Sequence, residues 1–260
     1  MHPVLFEIGG TAVYTYGFMI ALGAIAGVWY MSVQGRKELG LTFDQANTLF
    51  LYIFLAALIG GKFFLFFEDP SYYLENPKRF FTGRGFVFYG SFLFAVPVML
   101  WYFRKQKLHT FAMLDIMAVT TCLVHIFGRL GCFFAGCCYG VPTNSVFGVT
   151  FTSEACYANP LHTPLHPTQL YEASYILLVL GLLLYLRPRR KFYGQLFYTY
   201  LLAYATGRFV IEYFRGDVGR GYVIDNYLSN SQLIALIIFC VVVFLYASRR
   251  KHGNFVPLKK

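Results

Sequence analysis

The stretch FAMLDIMAVTTCLVHIF, residues 111–127, runs directly into GRLGCFFAGCCYG, residues 128–140. A segment this apolar is a candidate membrane span, because about 20 such residues cross the hydrocarbon core and neighbouring glycines and aromatics extend the run. An arginine where such a span ends is costly to bury. It normally faces the protein interior or a polar cavity, so Arg129 marks an ion or substrate site.

Composition agrees with the membrane reading. Hydrophobic residues make up 57% of the chain, aromatics 20% and charged residues only 13%, about half the charged fraction of ~25% in soluble domains. Further apolar runs lie at 13–33, 46–67, 87–103, 170–186, 192–210 and 233–247. With 111–127 they predict seven transmembrane helices in an all-α integral membrane protein. No Ser/Gly linker or low-complexity tract divides the chain, so residues 1–260 read as one polytopic membrane domain. The net charge of +10 does not call for nucleic acid, because the basic residues form short clusters beside apolar runs. Topology accounts for them: Arg36 and Lys37, Arg104 with Lys105 and Lys107, the cluster at 187–191 and the tail at 249–260 follow alternate spans. They collect 14 of the 22 basic residues on one side. The positive-inside rule makes that side cytoplasmic, with the N-terminus outside and the C-terminus inside. The stretches 68–86, 128–169 and 215–232 then face outward. Residues 1–10 lack the charged start of a signal peptide, so the first span is expected to be retained.

Polar residues inside this frame carry the chemistry. Gly23 and Gly27, separated by three residues, suit close packing of helices within the chain. Arg208 and Glu212 share one helix face, each offsetting the burial of the other. They read either as a structural ion pair or as half of an anion site, because two guanidiniums from different helices suit a phosphate. Lys62, after Gly60 and Gly61, adds to a positive field or snorkels outward. His166-Pro167-Thr168-Gln169-Leu170-Tyr171-Glu172 opens the fifth span with more polar groups than a helix cap requires. Cys122 and Cys240, within apolar runs, read as small buried hydrophobes. For Cys132, Cys137 and Cys138 a disulfide is open, between Cys132 and either neighbour or with Cys156; a structural zinc site is disfavoured for want of a CxxC spacing. Arg129 near Cys132 would favour a thiolate.

Together these pieces resemble the prolipoprotein diacylglyceryl transferases, bacterial inner-membrane enzymes. The resemblance rests on Tyr16-Gly17, Gly60-Gly61-Lys62, Gly128-Arg129-Leu130-Gly131, the run from His166 to Glu172, and Tyr204 with Arg208 to Glu212, in family order from the first span to the sixth. It implies that phosphatidylglycerol donates a diacylglyceryl group to the lipobox cysteine thiol of a prolipoprotein and that glycerol phosphate leaves, at an active site toward the outer face of the plasma membrane. No cofactor and no metal are implied.

By the same resemblance Arg129 and Arg208 match essential arginines that bind the lipid phosphate, and Glu212 belongs to the catalytic group. Tyr16 and Tyr204 match further positions that matter in the family and are expected to orient groups around the cavity, and Lys62, Cys132, His166 and Gln169 are further candidates for binding the substrates. Where the family has a catalytic histidine, the chain has Tyr89, and a phenol, with a reference pKa near ~10, is a poor base at neutral pH. Cys132 and Cys137 replace the usual asparagine and glutamate, and Cys138 follows. An alternative therefore stands beside the transferase: a membrane paralogue on the same scaffold that uses Cys132, Cys137 and Cys138 for thiol redox or soft-metal handling.

Overall fold

The computed structural model describes residues 3–9, 11–68, 70–75, 87–216, 221–224 and 227–252. Most of the expected outer stretch at 68–86, parts of 215–232 and the basic tail from 253 onward lie outside the described residues. Eight α-helices run through the rest: α1 (Thr15–Leu39), α2 (Phe43–Glu68), α3 (Pro70–Glu75), α4 (Phe88–Lys105), α5 (Thr110–Ala135), α6 (Thr168–Leu186), α7 (Gln195–Ile211) and α8 (Asn230–His252). Five stretches, Thr15–Leu39, Phe43–Phe67, Thr110–Ala135, Thr168–Arg189 and Asn230–Arg250, are long and apolar enough to cross a membrane. The predicted third and sixth spans are the shorter α4, at 18 residues with Pro97 inside it, and α7, at 17.

Short antiparallel hairpins interrupt the all-helical expectation. β1 (Val4–Ile8) and β2 (Thr11–Tyr14) lead into α1, β3 (Val149–Thr150) pairs with β4 (Pro164–Leu165), and β5 (Tyr222–Ile224) pairs with β6 (Leu228–Ser229). The first hairpin replaces the beginning of the predicted first span, because Val4 to Tyr14 is rich in the β-branched and aromatic residues that fit a strand.

Local chemistry sets the helix ends. Thr42 and Gln45 form a capping box on α2: the Gln45 amide donates to Thr42 Oγ1 at 3.2 Å and the Thr42 amide to Gln45 Oε1 at 2.9 Å. Ser229 and Gln232 repeat the device on α8. At α7 the cap comes from another helix, as Asp115 of α5, fully buried, accepts from the amides of Gly194 at 2.9 Å and Phe197 at 3.0 Å. Arg190 Nη1 stands 3.7 Å from the same carboxylate.

Two compact units are distinguished, residues 1–30 with 114–260 and residues 31–113. In the first, Ile116, Val119 and Cys122 of α5 are buried, as are Ile176 and Leu183 of α6 and Leu196 of α7. α1 meets α5 at Gly23 and Gly27, where an added Cβ would come within 2.9 Å of Phe127 Cβ and 3.0 Å of Val124 Cγ2. The intrachain packing expected of this glycine pair is what it does. In the second unit the buried residues are Leu41, Leu49, Tyr102, Phe103 and Met113, and the Tyr102 hydroxyl donates to the Gln45 carbonyl at 2.9 Å. Large apolar side chains such as Ile25, Ile59, Leu178 and Phe244 point outward, as lipid-facing positions do. Cys240 is exposed on α8, which corrects its reading as a buried residue; Cys122 is fully buried as expected.

Candidate active site

The predicted fourth span ends too early, since α5 continues to Ala135 and carries Arg129 and Cys132 as helical residues. Leu130, Phe133 and Phe134 prolong its apolar pattern, and the helix stops only where Gly136 adopts φ +73°. The Gly136 amide bonds to the Phe133 carbonyl at 3.2 Å and the Cys137 amide to the Cys132 carbonyl at 3.1 Å, the double closure of a Schellman cap. That closure folds Cys137 back onto Cys132. Cys138 follows in a left-handed conformation, φ +61°, at a cost of about 1–2 kcal/mol for a side chain with a Cβ. The three sulfurs end within 4.8 Å of one another, all as free thiols. Cys156 is elsewhere: its Cβ packs against Gly136, and it belongs to a small cluster with Tyr139, Phe151 and Leu165.

Two buried side chains at the start of α6 pin this loop. Thr168 Oγ1 donates to the Cys138 carbonyl at 2.6 Å and Gln169 Nε2 to the Cys137 carbonyl at 2.7 Å. Beyond the cysteines, Gly140 donates to the His166 carbonyl and Val141 to that of Phe214, which lays residues 139–142 between 164–166 and 214–216. Buried Arg215 is thereby brought beside the thiols. Hydrogen bonds from Cys132 and Cys137, with Arg215 and Arg129 adding, hold the Cys138 thiol below its ordinary range. Cys137, hydrogen-bonded to Cys132 and Cys138 and desolvated, is pushed up.

A charged centre adjoins the thiols. Arg129 Nη2 lies 2.9 Å from Glu172 Oε1, and His125 Nε2 lies 3.0 Å from the same oxygen and 3.3 Å from Arg129 Nε. One ring nitrogen serves one of these two contacts, and the shorter, charge-assisted one makes it the donor to the carboxylate. On α7, Arg208 Nη2 meets Glu212 Oε2 at 2.7 Å and donates to Ser231 Oγ at 3.2 Å. The pair predicted from the i, i+4 spacing is present. Tyr204, edge-on to His125 at 5.6 Å, is within electrostatic reach of Glu172, Arg208, Arg129 and Arg215. Two buried polar atoms in this centre, Arg208 Nη1 and Glu172 Oε2, have no hydrogen-bond partner among the described residues. Buried polar groups are seldom left so; a donor in this state suits an incoming anion.

Comparison with known proteins meets this geometry. The family model for prolipoprotein diacylglyceryl transferase matches residues 3–248. The chain belongs to the prolipoprotein diacylglyceryl transferase family. A phosphatidylglycerol–prolipoprotein diacylglyceryl transferase of Clostridium tetani is 35% identical over 247 residues, covering 95% of this chain and 97% of the relative. A transferase numbered 2 from Clostridium perfringens is 31% identical, covering 98% of each chain. One from Dehalococcoides mccartyi is 30% identical, covering 96% and 95%. The redox or metal-handling paralogue finds no support among these relatives, all of which are named as transferases.

The structure distributes the family's motif positions unevenly. Arg129 pairs with Glu172, Tyr204 and Arg208 are within electrostatic reach of that carboxylate, and Glu212 pairs with Arg208. Tyr16, at the start of α1, is within electrostatic reach of Arg129 and of all three thiols, and its ring lies against Gly131. His166 is set apart in an aromatic group: its Nδ1 is 3.0 Å from the Tyr171 hydroxyl and its ring 5.4 Å from Phe214. Lys62 and Tyr89 belong to the second unit, where the Val87 amide donates to the Gly61 carbonyl at 3.2 Å; Lys62 is half-buried and Tyr89 exposed. The site roles assigned from the sequence did not include His125, Glu172, Thr168 or Arg215. His125 is four residues before Arg129, and Glu172 closes the motif opened by His166, so each carried a positional signal; Arg215 carried none.

Proposed function

We propose that this chain transfers the diacylglyceryl group of phosphatidylglycerol to the lipobox cysteine thiol of a prolipoprotein, with glycerol phosphate as the leaving group. The observation that carries the reading is the family match over residues 3–248, joined to two half-buried arginines, each paired with a buried carboxylate. The sulfur of the peptide attacks the glyceryl carbon, and the carbon–oxygen bond to phosphate breaks. Negative charge collects on the departing phosphate, where preorganised guanidiniums stabilise it best. Arg129 and Arg208 are assigned to that phosphate. Glu172 and Glu212 hold the two forks in place, and the spare Nη1 of Arg208 supplies a donor. Tyr16 and Tyr204 orient the lipid, Lys62 adds positive field, and His166 and Gln169 shape the peptide side. Tyr89 takes the position of the family's base.

The enzyme crosses the bacterial plasma membrane seven times as one domain, with its N-terminus and active site outside and its C-terminus inside. α4 and α7 complete the count beyond the five longest helices. Purified protein incubated with phosphatidylglycerol and a lipobox peptide is expected to yield lipidated peptide and glycerol phosphate in equal amounts. Absence of both products with protein that remains folded overturns the reading.

A further inference from the structure

Tyr89 leaves the transferase without an evident group to take the proton of the acceptor thiol, and the three cysteines supply a different answer. We propose that Cys132, Cys137 and Cys138 hold a zinc ion as three thiolates and that the lipobox thiol of the peptide binds it as the fourth ligand. The inference rests on the transferase reading and names how its nucleophile is made.

The geometry fits. Zinc about 2.3 Å from each of four sulfurs in a tetrahedron spaces them about 3.8 Å apart, and the three thiols already lie within 4.8 Å of one another. A tightly spaced sequence pair is unnecessary here, because the Schellman cap at Gly136 brings Cys137 to Cys132 and the left-handed backbone at Cys138 turns the third thiol inward. Thr168 and Gln169, both buried, fix the carbonyls of the last two ligands, so the loop is set before any ion arrives. Three thiolates and a divalent ion carry one net negative charge, and a fourth thiolate makes two; Arg129 and Arg215 lie within electrostatic reach of this cluster. Three protein ligands with one open position is the arrangement of catalytic zinc, and a thiol that coordinates the ion is deprotonated outright. The step balances: the peptide S–H loses its proton to solvent on coordination, and a sulfur electron pair forms the S–C bond. The C–O bonding pair leaves with glycerol phosphate, and zinc with its three cysteines is unchanged. The ion serves the transfer rather than replacing it.

Cobalt substitution of the full-length protein in detergent tests this. The expected result is one cobalt per chain with strong thiolate-to-metal charge-transfer bands and intense tetrahedral d–d bands. A lipobox peptide should shift these bands, and the same peptide with serine for cysteine should not. Stripping zinc with a chelator should lower transfer by about 10²-fold or more, and added zinc should restore it. Cys137→Ser should remove the bands, and since that variant could misfold, the spectra of the wild-type protein are the deciding measurement. The proposal is overturned if the wild-type protein binds no stoichiometric metal, if the stripped enzyme works at the full rate, or if the three sulfurs of active enzyme include a disulfide. Bands that answer to the peptide thiol, without any lipidated product from phosphatidylglycerol, would uphold the zinc site and remove the transferase reading.

Discussion

At Arg129 and Arg208 the type of cation matters as much as its charge. Each guanidinium spends one nitrogen on a carboxylate and keeps other donors for an anion. Arg129→Lys and Arg208→Lys keep the charge and lose the planar fork, so transfer should fall by about 10²-fold or more while the protein still accumulates in the membrane. Wild-type turnover in both variants would make these arginines structural. Glu172 makes a complementary test, because Arg129 and His125 share its Oε1. Glu172→Ala removes the acceptor of a buried pair and should lower stability by about 3 kcal/mol along with activity, read as a lower midpoint in a thermal melt. Of these contacts only Arg208–Glu212 was legible beforehand, since the two residues are four positions apart where α7 ends. Arg129 and Glu172 are on different helices, and no local period connects them.

Individual helices owe their placement to a few polar anchors. α7, which carries Tyr204 and Arg208, has no cap of its own at Gly194 and depends on Asp115 from α5. Asp115→Ala would leave the Gly194 and Phe197 amides without their acceptor and remove the carboxylate 3.7 Å from Arg190. A loss of about 3 kcal/mol or more is expected, visible as a clear drop in melting temperature with Asp115→Asn intermediate. α1 and α5 depend instead on the absence of side chains. Gly27→Leu would drive into Val124 and Thr120, and overpacking of about 1–3 kcal/mol should reduce accumulation in the membrane without a specific effect on phosphatidylglycerol binding. The capping boxes at Thr42 and Ser229 join residues three positions apart, whereas the cap at Asp115 joins residues far apart in the chain.

For the whole molecule the decisive question is which side of the membrane each loop occupies. The basic clusters after alternate helices predict that a single cysteine at Ser71, in a variant whose six native cysteines are replaced, reacts with a membrane-impermeant label from outside. One at Gln106 should react only after permeabilisation. The reverse pattern would invert the topology and move the site to the cytoplasmic face. The short α4 and α7 are the elements on which a seven-span count depends, so the same labelling at their ends tests the count directly.

The sequence alone determined the membrane class, the order of the helices and the family, because hydrophobic period, basic flanks and short motifs are local properties of a chain. It also determined the Arg208–Glu212 pair and that Gly23 and Gly27 pack a helix within the chain, while the partner, α5, came from the structure. The tertiary structure decided that α5 runs on through Arg129 and Cys132, and that Glu172 and His125 meet Arg129. It also brought Thr168 and Gln169 onto the cysteine loop. Spacing along the chain argued against a metal site, since ligands are usually paired by a short turn. The helix cap supplied that turn between residues five apart, and the reason it was hidden is physical: a Schellman closure and a left-handed residue are backbone conformations set by packing, and neither is written in the spacing of the cysteines.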